Sequence, residues 1–258
     1  MPKGKRRSST ALDDAMMETQ PLIDTERSQR RKDTMPRRKP TNDHLDQTLP
    51  DCANSLSALE FQAVYLDQEW LRFMADFGRL HLAFKTAEDL SNEERDSCFQ
   101  LIESTSRCDY EPSSFGWHPT RKRREMTERE MRYILVRSIR KSPVEPESNP
   151  LAFLSFMLTF DSSPTVEVLY IYEIHLTASA RGRGLGEHLM RMVEAVAKRT
   201  GMQKVMLTCF LSNARAQAFY ARRGYERDAS SPDDRVVRGR VVKADYVILS
   251  KPVSACTS

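Results

Sequence analysis

Glycine is scarce in this chain, at nine of 258 residues, so a local cluster of it marks a demand on the backbone rather than background composition. Apolar runs are short. None approaches the roughly 20 residues that a bilayer crossing takes, and no apolar leader opens the chain, so no membrane partner is expected. Five cysteines, an odd number with no C-x-x-C pair, offer neither a disulfide framework nor zinc-ligand spacing; reduced thiols are the expectation. The five histidines are equally scattered, and no metal is expected. Net charge is missing from most of the chain as well. The first 45 residues carry eleven Lys or Arg against seven Asp or Glu, which accounts for the whole net charge of +4, and the other 29 basic and 29 acidic residues cancel. A neutral folded part gives no reason to expect direct nucleic-acid binding by the core.

What is present begins with a basic tail, residues 1–53, poor in apolar residues and punctuated by Pro36 and Pro40. Such a segment buries too little surface to offset its ordering entropy and is expected to be disordered. Its clusters Lys3–Arg7, Arg30–Lys32 and Arg37–Lys39 are compatible with nuclear import, a chromatin tether or a merely solvated tail, and three clusters favour import. Residues 54–79 carry Leu56, Leu59, Val64, Leu66, Leu71, Phe73 and Met74 at mostly helical spacing and read as a helical segment packing on the core. Residues 80–252 read as one domain, with residues 253–258 frayed. Within it, a strand at 80–87 precedes a helix from Ser91 to about Ser106, then strands at 131–140, 151–160 and 166–176 in hairpin order. A helix over 187–199, a strand at 202–210, a helix opened by Asn213 and a closing strand at 241–250 follow. That order implies an α+β sandwich, a mixed twisted sheet flanked by helices.

Arg181-Gly182-Arg183-Gly184-Leu185-Gly186 places three glycines in six residues between the apolar run ending at Leu176 and the amphipathic stretch from Glu187. Strand, glycine turn and helix aim backbone N–H groups and a positive helix terminus at a phosphate. An ordinary helix entry flanked by two solvated arginines is the plainer alternative. The spacing fits neither the dinucleotide fingerprint nor the P-loop. It resembles R-x-x-G-x-G, the pyrophosphate loop of the GNAT superfamily of N-acetyltransferases, and Asn213 with Tyr220 resembles that superfamily's pair along the pantetheine arm. Asn213 is equally a good helix N-cap, and Tyr220 equally a core residue.

Four further blocks resemble the N-alpha-acetyltransferase D (NatD) branch: Gly116-Trp117 leading to Arg124–Thr127, Glu167–Ile174, Lys204–Thr208 and Asp245–Ser250. The resemblance implies the acyl-CoA N-acyltransferase fold and transfer of acetyl from acetyl-CoA, without a metal, to the free amine of peptides beginning Ser-Gly-Arg-Gly, the start of histone-4 and histone-2A. It also implies a nuclear and cytoplasmic place, and a monomer is expected. A lysine or small-amine acetyltransferase of the same fold, or a non-enzymatic chromatin-binding module, are the rival readings.

Acetyl transfer to an amine needs a neutral nucleophile, a polarised thioester carbonyl and a proton for the leaving thiolate. Glu173, a charged residue in an apolar strand, is the candidate base, with burial expected to raise its carboxyl toward the useful range. His175 shares its face by strand alternation, opposite Ile174, and reads either as a second catalytic group or as a satisfied sheet-face histidine. Backbone amides at Ile174, His175 and Leu176 are candidates for polarising the carbonyl. By resemblance, Tyr170, Tyr172, Asp161, Thr208 and Tyr246 would position the peptide, and Tyr110, Phe115 and Trp117 would wall its mouth. Tyr172, Tyr246 and Tyr220 are the candidate proton donors, and the sequence does not choose among them.

Overall fold

The computed structural model describes residues 48–76, 78–139, 149–162, 165–237 and 239–253. Most of the basic tail, the turn region 140–148 and the end from 254 lie outside them. The first helix, α1 (Leu49–Asn54), already buries Pro50 and Ala53, so folded chain begins a few residues before the boundary expected at 54. Helix α2 (Ala58–Tyr65) follows, opened by a reciprocal cap between Ser57 and Glu60, and then a short 3-10 turn at Gln68–Leu71.

The expected helical segment stops there, because Arg72–Ala75 is strand β1, paired antiparallel with β2 (Gly78–Thr86). The helical reading fails where Phe73 and Met74 alternate as on a strand: Phe73 packs against the core, whereas Met74 is 65% exposed. Helix α3 (Asn92–Tyr110) starts at a second capping box, Ser91 with Glu94, and runs four residues beyond the expected end. Arg107 supports that extra turn by bridging Glu103 and Glu111 at i−4 and i+4. The short helix α4 (Pro119–Glu125) opens on a proline, whose missing N–H costs nothing in a first turn.

Strands β3 (Arg132–Ser138), β4 (Ala152–Ser162) and β5 (Thr165–Leu176) form the expected meander. Helix α5 (Leu185–Arg199) crosses over to β6 (Lys204–Phe210), which lies parallel to β5; a parallel pair requires such a crossover. After α6 (Ala214–Arg222) come the short β7 (Glu226–Arg227), a separate exposed hairpin of β8 (Arg235–Val237) and β9 (Arg240–Val242), and β10 (Tyr246–Pro252). The closing strand thus starts later than expected, because Val241 and Val242 belong to the hairpin. The main sheet runs β1-β2-β3-β4-β5-β6-β10-β7, antiparallel except for the β5–β6 pair.

Two cores sandwich this sheet. One face packs against α5 through Leu189, Met192, Val193 and Val196, spaced so that they share a stripe, together with Phe61 of α2. Phe61 is fully buried and stacks on Phe84 with ring centroids 4.8 Å apart, which fastens the N-terminal segment to the sheet. The other face packs against α3 through Cys98, Phe99 and Ile102.

Candidate active site

The site begins with one extra residue. β4 and β5 pair residue for residue until Ser155 opposes Glu173 while Phe156 opposes Ile171, so Tyr172 is a β-bulge. The bulge reverses the phase of β5. Leu169, Ile171, Ile174 and Leu176 pack on the α5 face, and Tyr170, Tyr172, Glu173 and His175 face α3 and α4. Just there the sheet opens: β5 pairs with β6 only from Val168 to Ile171, and beyond it β6 bonds to β10 alone. The Thr177 N–H bonds the Leu151 carbonyl, so alternation turns the N–H groups of Ile174 and Leu176 toward the gap. Arg181 Nε donates to the Leu176 carbonyl at 3.0 Å on that open side.

Glu173 is 7% exposed and surrounded by partners. Lys122 Nζ of α4 lies 2.8 Å from Oε1, His175 Nε2 lies 2.5 Å from Oε2, and the Tyr110 hydroxyl of α3 donates to Oε1 at 3.3 Å. Burial alone would push this carboxyl up, the direction expected from the sequence. The Lys122 ammonium, with His175, outweighs burial and holds it at about 2. That expectation is therefore corrected: Glu173 stands as an anion with a fixed counter-cation. Burial also opposes charge on Lys122, but Glu173, Tyr110 and Glu125 more than reverse this and keep it an ammonium. Lys122 bonds Glu125 at 2.6 Å as well, so the trio Glu173, Lys122 and Glu125 carries one net negative charge. Both ring nitrogens of His175 are taken, the second by Thr105 at 2.6 Å, which leaves it to orient Glu173 rather than to meet a substrate. Lys122, Glu125 and Thr105 were not singled out from the sequence.

Aromatic rings wall the approach. Tyr110 stands edge-on to Phe210 at 4.8 Å, Phe115 lies 4.8 Å from Tyr246, and Trp117 fits between Phe99 and Tyr110. Ser114 Oγ donates to Asp245 at 3.0 Å and ties the loop after α3 to the start of β10. The hydroxyls of Tyr170 and Thr208 meet at 2.5 Å, across the last rungs before β5 and β6 part, and close the floor. Burial pushes the Tyr170 hydroxyl up to about 12. Asp161, expected to position the peptide, is instead buried in an ion-pair bridge: Lys204 joins it at 2.7 Å to Asp228 at 2.8 Å.

The glycine turn lies at the other side of the gap. Gly182 (φ +74°) and Gly184 (φ +79°) are left-handed, a conformation that L side chains rarely adopt, and Gly184 caps α5 without any side-chain bond to its first amides. Those amides are free to meet an anion, and the turn sits where β5 ends at the open edge, so an acyl-CoA diphosphate fits this cradle. The N-terminal segment braces it. Arg183 pairs with Asp76, His188 Nε2 lies 2.9 Å from the Trp70 carbonyl oxygen, and a Cβ on Gly184 would lie 3.8 Å from the Phe73 ring. Asn213 caps α6, accepting from Ala216 N at 3.0 Å, so the structural role suggested for it is real. Tyr220 is buried on the α5 face, and burial, with the Glu173 carboxylate a smaller cause, pushes its hydroxyl up. Tyr246 is half-buried at the mouth instead. Among the described residues no three His, Cys, Asp or Glu side chains group as a metal ion would require.

The model of the acetyltransferase (GNAT) family matches residues 97–225, half of the chain. The chain is 34% identical over 97 residues to N-alpha-acetyltransferase 40 of Saccharomyces cerevisiae, a match covering 31% of this chain and 34% of that protein. It thus spans about a third of the length of that curated relative. Its fold is similar to that of the GNAT domain of S. lividans PAT, with a TM-score of 0.50 and 12% identity over 72% of this chain and 98% of that one.

Proposed function

The chain belongs to the acetyltransferase (GNAT) family, and on that premise we propose that it is an N-alpha-acetyltransferase of the NatD type. In this reading it acetylates the free N-terminal amine of Ser-Gly-Arg-Gly peptides such as those of histone-4 and histone-2A. The observation that carries the proposal is the bulge at Tyr172, which gathers two tyrosines, an anion and its counter-cation on one face beside an open strand edge.

Acetyl-CoA, when bound, supplies the activated acyl group. The first amides of α5, with Gly182 and Gly184, would hold its diphosphate, and the N–H groups of Ile174 and Leu176 would polarise a carbonyl at the strand edge. The net negative trio around Glu173 attracts an ammonium group. A peptide α-amine has a pKa of about 8 against about 10.4 for lysine, so roughly a tenth of it is neutral at pH 7 and no strong base is needed. Glu173 then orients the amine and accepts its proton, directly or through one water. Tyr220 would give a proton to a departing thiolate, and Tyr246 would wall the peptide mouth. Three basic clusters in the first 45 residues support a nuclear as well as a cytoplasmic place.

The test is mass spectrometry of three peptides incubated with acetyl-CoA and the full chain. Ser-Gly-Arg-Gly with a free α-amine is expected to gain one acetyl group, and the same peptide with that amine blocked none. A third, blocked and carrying an internal lysine, is expected to stay unmodified; acetylation there would instead make the protein a lysine acetyltransferase.

A further inference from the structure

The block from Gly116-Trp117 through Arg124-Glu125-Met126-Thr127 lies beside the carboxylate and moves no proton in the steps above. We propose that this block delivers Lys122 as a positioning residue, whose buried ammonium fixes Glu173 in place and in its ionised form. The proposal rests on the acetyltransferase reading and gives that same site a second essential residue.

Helix α4 contains a run of four cations, Arg121 to Arg124, of which three stay in solvent. Lys122 alone turns inward, to 8% exposure. Taking an ammonium group out of water costs several kcal/mol unless it is paired and hydrogen-bonded, so a solvated charge run would not place it there. It is paired three ways: with Glu173 at 2.8 Å, with Glu125 one turn on at 2.6 Å, and over the Tyr110 ring at 5.0 Å from the centroid.

The rest of the block holds that lysine in position. Gly116 takes a left-handed turn (φ +63°) between Phe115 and Trp117, and Trp117 packs on Phe99 and Tyr110 of α3. Pro119 starts the helix, buried Met126 ends it, and the Met126 carbonyl accepts from the Tyr133 hydroxyl of β3 at 2.6 Å. The groups facing Glu173 are therefore Lys122 and Glu125 from α4, Tyr110 from α3, and His175, itself held by Thr105 of α3, from β5. Lys122 is the ammonium among them. Without it, a carboxyl buried among aromatic rings would favour its neutral form.

Titration of the Glu173 side-chain carboxyl by carbon-13 NMR in the free full-length protein, assigned with Glu173→Gln, reads this without any substrate. Lys122→Met is expected to move the titration at least one pH unit upward, and an unmoved titration would overturn the proposal. In peptide acetylation the same variant is expected to lower kcat at least tenfold, change KM less and raise the acid limb of the pH profile. In a Glu173→Gln background it should add little further loss, because it acts through that carboxylate; fully additive losses would count against it. If Lys122→Met does not fold, Lys122→Arg keeps the cation and is expected to leave the carboxyl titration where it is, an upward move contradicting the role. Failure of the wild type to acetylate any peptide would remove the activity reading and leave the NMR titration as the judge of Lys122.

Discussion

Tyr172 and Glu173 are neighbours in sequence yet face the same side of the sheet, because Tyr172 is the extra residue of a bulge in β5. A regular strand would send them to opposite faces and bury the carboxylate under α5, away from Lys122, Tyr110 and Thr105. The bulge thus does two things at one point. It assembles the tyrosines with the carboxylate, and it coincides with the place where β5 and β6 cease to pair.

Glu173→Gln is expected to lower turnover about 100-fold or more, within the range for removing a general acid–base group, with little change in acetyl-CoA affinity. Steady-state kinetics and calorimetry on one preparation check this. A comparable loss of coenzyme affinity would contradict the role.

Stability should fall on the acid side. The Glu173 carboxyl lies lower folded, at about 2, than unfolded, at about 4.3, so its contribution is fully present above the unfolded value and lost as pH falls toward the folded one. Asp228, whose burial is outweighed by Lys204 and by bonds from Ser250 and Ser230, contributes with the same sign. Urea midpoints measured from pH 6 to pH 3 should drop most steeply below about pH 4.5, and less steeply in Glu173→Gln.

Phe61→Ala is expected to cost about 3–5 kcal/mol, because it removes a fully buried ring stacked on Phe84 and near Phe156. Denaturant melts would show it. A change under about 1 kcal/mol would mean that the N-terminal segment is not part of the core.

Tyr170→Phe removes the hydroxyl that meets Thr208 and should cost about 1 kcal/mol of stability while raising the peptide KM. The double variant with Thr208→Val should lose less than the sum of the single changes, since each removes the same bond.

Much of this was readable from the residues because it depends on local period. The stripe of α5, the meander β3–β5, the glycine turn and the Asn213 cap all follow from spacing and backbone chemistry. The bulge was not readable, since it is a matter of register between β4 and β5 rather than of either strand alone. Two same-face pairs, Tyr170 with Tyr172 and Glu173 with His175, were each legible by alternation, whereas their meeting on a single face was not. Lys122 was hidden among three solvated arginines in a seven-residue helix too short for its buried side to show as a period. Glu173 looked like a carboxyl raised by burial because its counter-ion comes from 51 residues away. Tyr110 reaches the site because α3 runs beyond the expected end, its last turn carrying the pairs of Arg107 with Glu103 and Glu111.

Calorimetric titration of acetyl-CoA into the full-length chain, alongside Gly184→Val, tests the central claim most directly. One-to-one binding by the wild type is expected, with at least a tenfold weaker affinity in the variant, whose side chain would strain the left-handed backbone of the turn (φ +79°). A thermal melt shows whether the variant is folded at the titration temperature. No measurable binding by the wild type, or equal affinity in a folded Gly184→Val, would contradict the account.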